Sequence, residues 1–146
     1  MTVDEALAHL QTDGFCVLDG VIPADEVEGV RISVERTVEA DGGASAIQGA
    51  KSRKGLMSFD QSMAPYVADD RMMDIVEALF GPHARISMVT AAIKLPGNDR
   101  GEWHADWPFN QRNAGHIPMP YPDAVVHITG IWMLSPFTHE NGGTLV

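Results

Sequence analysis

The run from Arg100 to Pro122 most constrains what this chain can fold into. It holds four prolines, Pro108, Pro118, Pro120 and Pro122, and two glycines, Gly101 and Gly115. Proline fixes φ and lacks a backbone N–H, so no helix and no central strand can cross such a run. It must be a long loop. Loops of this length are usually either functional or disordered, and Trp103, Trp107 and Phe109 within it favour function. The loop also separates two kinds of pattern, helical on its amino-terminal side and increasingly β-like around and beyond it.

On the helical side, Thr2 and Glu5 have the spacing of a capping box ahead of Ala6, Leu7 and Leu10, which predicts a short helix over residues 3–12. Pro23 opens a second pattern, with Asp25 and Glu26 in its first turn. Val27, Val30, Val34 and Val38 then recur at helical spacing as far as Gly42-Gly43. A third helix follows the cap Asp69-Asp70, carries Met72, Met73, Ile75, Val76, Leu79 and Phe80, and stops at Gly81-Pro82. Residues 41–55, rich in Gly, Ala, Ser and Lys, read as an irregular connection.

Strand patterns occupy Phe15 to Leu18, Ile86 to Leu95 and Val125 to Leu134, and the turn Asn141-Gly142-Gly143 starts another at Thr144 to Val146. Helices first and strands later predict a mainly β fold with amino-terminal helices, an α+β domain of closed β architecture. Jelly rolls use about eight strands, more than these segments supply, so the expectation is an incomplete one. Within residues 1–146 the expected division of this single domain is a helical part over about 1–82 and barrel strands over about 83–146.

Composition narrows the partners. Twenty acidic against ten basic residues give a formal charge of -10, and a field of that sign repels a polyphosphate backbone. Nucleic acid is excluded as an expected partner. Lys51, Arg53 and Lys54 form the only basic cluster, read as a solvated loop. Cys16 is the single cysteine, so no intrachain disulfide forms, and its apolar neighbours point to a buried thiol. The acidic amino terminus is unlike a signal peptide, and no apolar run approaches the ~18 residues of a membrane span. The expectation is a cytoplasmic protein that does not enter the membrane.

The chemistry concentrates in "GEWHADWPF", residues 101–109. In an extended segment residues two apart share a side, so His104 and Asp106 can reach one point. An imidazole and a carboxylate from one segment, joined by a second histidine, form the facial triad that holds Fe(II) with open positions. A surface His–Asp hydrogen bond satisfies the same two residues without metal. Trp103, Trp107 and Phe109 add the aromatic wall of a small-molecule pocket, though aromatic residues also anchor loops.

Taken together, "DGFCVLDGVIPADEV", "WHADWPF", "HITGIWML" and "ENGGTLV" resemble, in order and spacing, the phytanoyl-CoA dioxygenase-like family of Fe(II)- and 2-oxoglutarate-dependent oxygenases, from Leu10 to Val146. The resemblance implies a double-stranded β-helix, a jelly-roll or cupin-like barrel preceded by helices. It implies hydroxylation of a small-molecule C–H bond by O2, with release of succinate and CO2. It matches His104 and Asp106 to two iron ligands, and Thr90 and Trp132 to positions that contact the 2-oxoglutarate cosubstrate. Strand threonines and buried tryptophans are also ordinary core residues. A carboxylate at Asp106 favours hydroxylation over the halogenation of relatives that carry Ala or Gly there.

The pattern departs at the carboxyl end. The family continues into a second histidine ligand and an arginine that clamps the far carboxylate, an anchor that works through two parallel hydrogen bonds. Neither follows Val146 in this sequence. His127 differs from Trp132 by an odd number of positions and so points the other way in a strand. His139 belongs to a turn, His9 and His83 are remote, and His116 reaches the site only if its loop folds over. The alternative to an oxygenase is a catalytically incomplete fragment or binding module. An isomerase or epoxidase on the same iron ligands is a further outcome, and substrate and oligomeric state stay open.

Overall fold

The computed structural model describes residues 1–40, 49–97 and 125–146. Its described elements are α1 (Val3–Thr12), α2 (Val27–Ala40), β1 (Ala50–Lys54), α3 (Ala64–Val67), α4 (Asp70–Phe80) and β2 (Thr90–Lys94), with 3-10 turns at Leu56–Ser58 and Gly81–His83.

The helices start and stop for local reasons. Thr2 caps α1: its hydroxyl accepts from the Glu5 amide at 3.2 Å, and the Glu5 carboxylate accepts from the Thr2 amide at 2.8 Å. Two donors that a helix start leaves unpaired are thereby satisfied. The sequence places the second helix from Pro23, but the Pro23 carbonyl instead accepts from the amides of Glu26 and Val27. That closes a turn, and the helix begins at Val27. Asp69 caps α4, and Gly81, at φ +66, ends it in a conformation that side-chain-bearing residues rarely adopt.

Packing follows the apolar stripe of α2. Val30, Val34 and Val38 recur every fourth residue and lie on one face, where they bury with Leu56, Met63, Tyr66 and Ala91 in a single cluster. Val38 is fully buried. A polar seam closes the edge of this core. Asp60, 7% exposed, accepts from the Thr37 hydroxyl at 3.2 Å and the Ser62 amide at 2.8 Å. Burial opposes ionisation of Asp60 most strongly, but hydrogen bonds from Ser62, Ser33 and Thr37 outweigh it and hold the carboxyl below its ordinary value. The Tyr66 hydroxyl donates to Glu26, tying α3 to the start of α2. On the far side α1 packs on α4, and Ala6 and Ile75 are the buried residues of the two helices.

β1 and β2 form a two-stranded antiparallel sheet in which Lys54 pairs with Thr90, Arg53 with Ala91 and Ser52 with Ala92. Helix α2 packs on both strands. Directly paired residues share a face, so Lys51, Arg53, Ala91 and Ile93 take the face toward α2. Ala50, Ser52, Lys54, Thr90, Ala92 and Lys94 take the other. On that outer face Ala50 and Ser52 are buried, while Lys54, Thr90, Ala92 and Lys94 are exposed.

The fold-class expectation is corrected here. The described residues are mainly helical, and their only sheet is this open pair, not a closed jelly-roll or cupin-like barrel. Phe15 to Leu18, Val125 to Leu134 and Thr144 to Val146 are not strands, and of Ile86 to Leu95 only Thr90–Lys94 is. The reason is pairing. A strand needs a hydrogen-bonded neighbour, and apolar alternation records only which side the residues would bury. Conversely β1 arises in the stretch read as an irregular connection. Its sequence, Ala-Lys-Ser-Arg-Lys, has weak β propensity, but pairing with β2 beneath α2 makes it a strand.

Candidate functional site

Most of the motif that carries the chemistry, His104, Asp106, Trp103, Trp107 and Phe109, lies outside the described residues, as does His116. Thr90 and Trp132 are described, and the structure sets them in different surroundings.

Thr90 opens β2 on the outer face of the sheet and is exposed. Its register partner is Lys54, and Lys94 lies on the same face further along the strand. Both lysines are exposed. A hydroxyl with an ammonium-bearing residue directly across the ladder is a donor pair for a carboxylate. Sequence reading missed the lysines because Lys54 falls in the stretch taken for a loop. The signal that finds it is the pairing register, not composition.

Trp132 sits in the extended segment after residue 124, half-buried, and packs with Leu134 against the α2 core cluster. Its ring folds back over Gly130: a Cβ added there would lie 3.1 Å from two ring carbons and 3.2 Å from the Met72 methyl of α4. A side chain at this position would need the Trp132 ring or the Met72 methyl to shift by a few tenths of an ångström. Trp132 therefore packs beside Met72 of α4 and against the α2 cluster, while Thr90 lies on the exposed face of the sheet.

The remaining described histidines are placed as follows. His127 is exposed and hydrogen-bonds Thr129 at 3.0 Å. Thr129 is likewise exposed, whereas Ile128, Trp132 and Leu134 are half-buried. His139 lies in the turn after Pro136, where the Asn141 side chain accepts from the Thr138 amide at 2.8 Å. His9 pairs with Asp13 at 2.8 Å at the end of α1, and His83 is exposed in the 3-10 turn after α4. Among the described residues no group of three or more His, Cys, Asp or Glu side chains could hold a metal ion. Also among them, no helix is long and apolar enough to cross a membrane. Cys16 is half-buried, and burial pushes its thiol pKa up, away from the reactive thiolate.

Comparison with known proteins gives one match. The family model described as phytanoyl-CoA dioxygenase (PhyH) matches residues 10–146. No curated protein and no solved structure matches the chain.

Proposed function

Because the chain belongs to the phytanoyl-CoA dioxygenase family over residues 10–146, we propose that it carries part of an Fe(II)- and 2-oxoglutarate-dependent oxygenase site and that the 146-residue polypeptide by itself is catalytically incomplete. The observation that carries this reading is the His104-x-Asp106 pair inside the family match, with no histidine after His139 and no arginine after Arg112.

His104 and Asp106 would hold the iron, one as a neutral imidazole nitrogen and the other as a carboxylate, a donor set suited to ferrous ion. When bound, the metal and its cosubstrate supply the oxidising chemistry, with 2-oxoglutarate leaving as succinate and CO2. Thr90 and Trp132 are proposed to contact the cosubstrate. Support for Thr90 comes from its own hydroxyl and from Lys54, its partner directly across the ladder. Trp103, Trp107 and Phe109 are proposed to wall the substrate pocket and exclude water. Proper orientation of the far carboxylate needs a bidentate partner, and a lysine, a point charge, does not supply the arginine fork.

The test is succinate production from 2-oxoglutarate with Fe(II) and O2. The expected result is none from this chain. A version extended with the family's histidine- and arginine-bearing segment should release succinate and lose that activity with Asp106→Ala. His104-dependent succinate release by the 146-residue chain would overturn the incompleteness. A folded extended version that binds neither iron nor 2-oxoglutarate would overturn the oxygenase reading.

A further inference from the structure

The turn after Leu134 carries a second feature, unconnected with the histidine–aspartate motif. Asn141-Gly142 is the only asparagine–glycine step in the sequence, and both residues are exposed. We infer that Asn141 is a self-modification site: its side-chain amide is lost by deamidation, and the aspartate or isoaspartate that replaces it opens the turn from Pro136 to Gly143.

Chemistry is the first argument. The backbone nitrogen of Gly142 attacks Cγ of Asn141, and the new N–Cγ bond closes a succinimide ring. The Cγ–Nδ2 bond breaks, and ammonia leaves with the proton that the Gly142 nitrogen gives up. Water then opens the ring at either carbonyl, giving aspartate or, with the main chain rerouted through the side chain, isoaspartate. Only water and these two residues take part. Glycine suits the nucleophile's position because no side chain shields its nitrogen and its backbone turns freely. At Gly142, φ +76, an added Cβ would meet nothing beyond its chain neighbours nearer than Lys94 Cγ at 4.0 Å. The charge that builds as the ring closes falls on Asn141 Oδ1, which already accepts from the Thr138 amide at 2.8 Å.

Structure is the second argument, because the same side chain holds the turn together. While Asn141 Oδ1 accepts from Thr138, its Nδ2 donates to the Pro136 carbonyl. The Thr138 hydroxyl accepts from the Glu140 amide at 3.3 Å, and Gly143 lies so close to Phe137 that an added Cβ would come within 3.0 Å of the Phe137 Cβ. Among the described residues no backbone-to-backbone hydrogen bond joins the arms of this turn. The amide of Asn141 is therefore the bridge. A carboxylate only accepts. In its place it keeps the bond from Thr138 but sets an oxygen against the Pro136 carbonyl oxygen, and it adds a negative charge to a chain already at -10. Isoaspartate also lengthens the main chain by a methylene group.

The experiment ages the full 146-residue chain in mildly alkaline buffer and follows its tryptic fragment 113–146 by mass spectrometry. That fragment also contains Asn113, followed by alanine, as an internal reference. The expected result is a one-dalton gain at Asn141, appearing as two separable products and accumulating about tenfold faster or more than at Asn113, a barrier lower by about 1.4 kcal/mol. Asn141→Gln, whose longer side chain closes the corresponding ring far more slowly, should remove the gain at that position. The nuclear Overhauser contact between Phe137 and Gly143 should weaken in the aged chain and in fresh Asn141→Asp alike. A gain at Asn141 no faster than at Asn113, or a Phe137–Gly143 contact of full intensity in Asn141→Asp, would overturn the inference.

Discussion

Helix α2 and the extended segment from Val125 to Leu134 are both patterned for burial, and only one of them achieves it. Val30, Val34 and Val38 of α2 lie at most 6% exposed within one cluster. In the carboxyl-terminal segment Trp132 and Leu134 reach the same cluster, while Val125, Val126, Ile131 and Met133 stay exposed. The difference lies in what each element needs. A helix satisfies its own backbone and needs a neighbour only for its apolar stripe. An extended segment needs a neighbour for its hydrogen bonds as well. Apolar pattern therefore translates into buried core where the backbone is self-sufficient.

Substitutions sharpen this contrast. Val38→Ala should cost about 2–3 kcal/mol in urea unfolding, from lost transfer energy plus a cavity. Ile131→Ala should stay within about 0.5 kcal/mol, as exposed sites do. Similar losses at the two positions would break the comparison. Next in size is Asp60→Ala, which leaves the Ser62 amide without its partner and the Thr37 hydroxyl with only the Ser33 carbonyl, and should cost about 1–2 kcal/mol.

The same carboxyl gives a pH signature. Its folded-state pKa lies below the ordinary 3.8, so its stabilisation is present above that value and is lost as pH falls through the lower folded one. Unfolding midpoints measured from pH 5 downward should fall more steeply for the parent than for Asp60→Ala. Parallel curves would remove Asp60 from this role. Smallest is Thr2→Ala, which removes the α1 cap at a cost of about 0.5–1 kcal/mol and should leave the α2 core unaffected by hydrogen exchange.

Legibility in the sequence follows the same division. Caps and stops are local chemistry, so Thr2 with Glu5, Asp69 and Gly81 could be read directly and stand where expected. The delayed start of α2 could not, because Pro23 suits a turn as well as a first helical position. β1 was hidden by its polar composition, and only the partner across the ladder reveals it. The apolar runs Phe15 to Leu18 and Val125 to Leu134 misled for the opposite reason: β-rich composition was present and the ladder was not. For the candidate site, the motif is legible as residue types at a spacing, and the family match agrees with it. The placement of Thr90 beside Lys54, and of Trp132 against the α2 cluster, depends on register and packing that no single segment encodes.

The most direct measurement is Fe(II) retention by the 146-residue chain after anaerobic desalting, compared with His104→Ala and Asp106→Ala. The expected result is retention of iron by the parent, lost in each variant while the circular dichroism spectrum is unchanged. Equal retention in all three chains, or none in a folded parent, would contradict the proposal that His104 and Asp106 hold the metal.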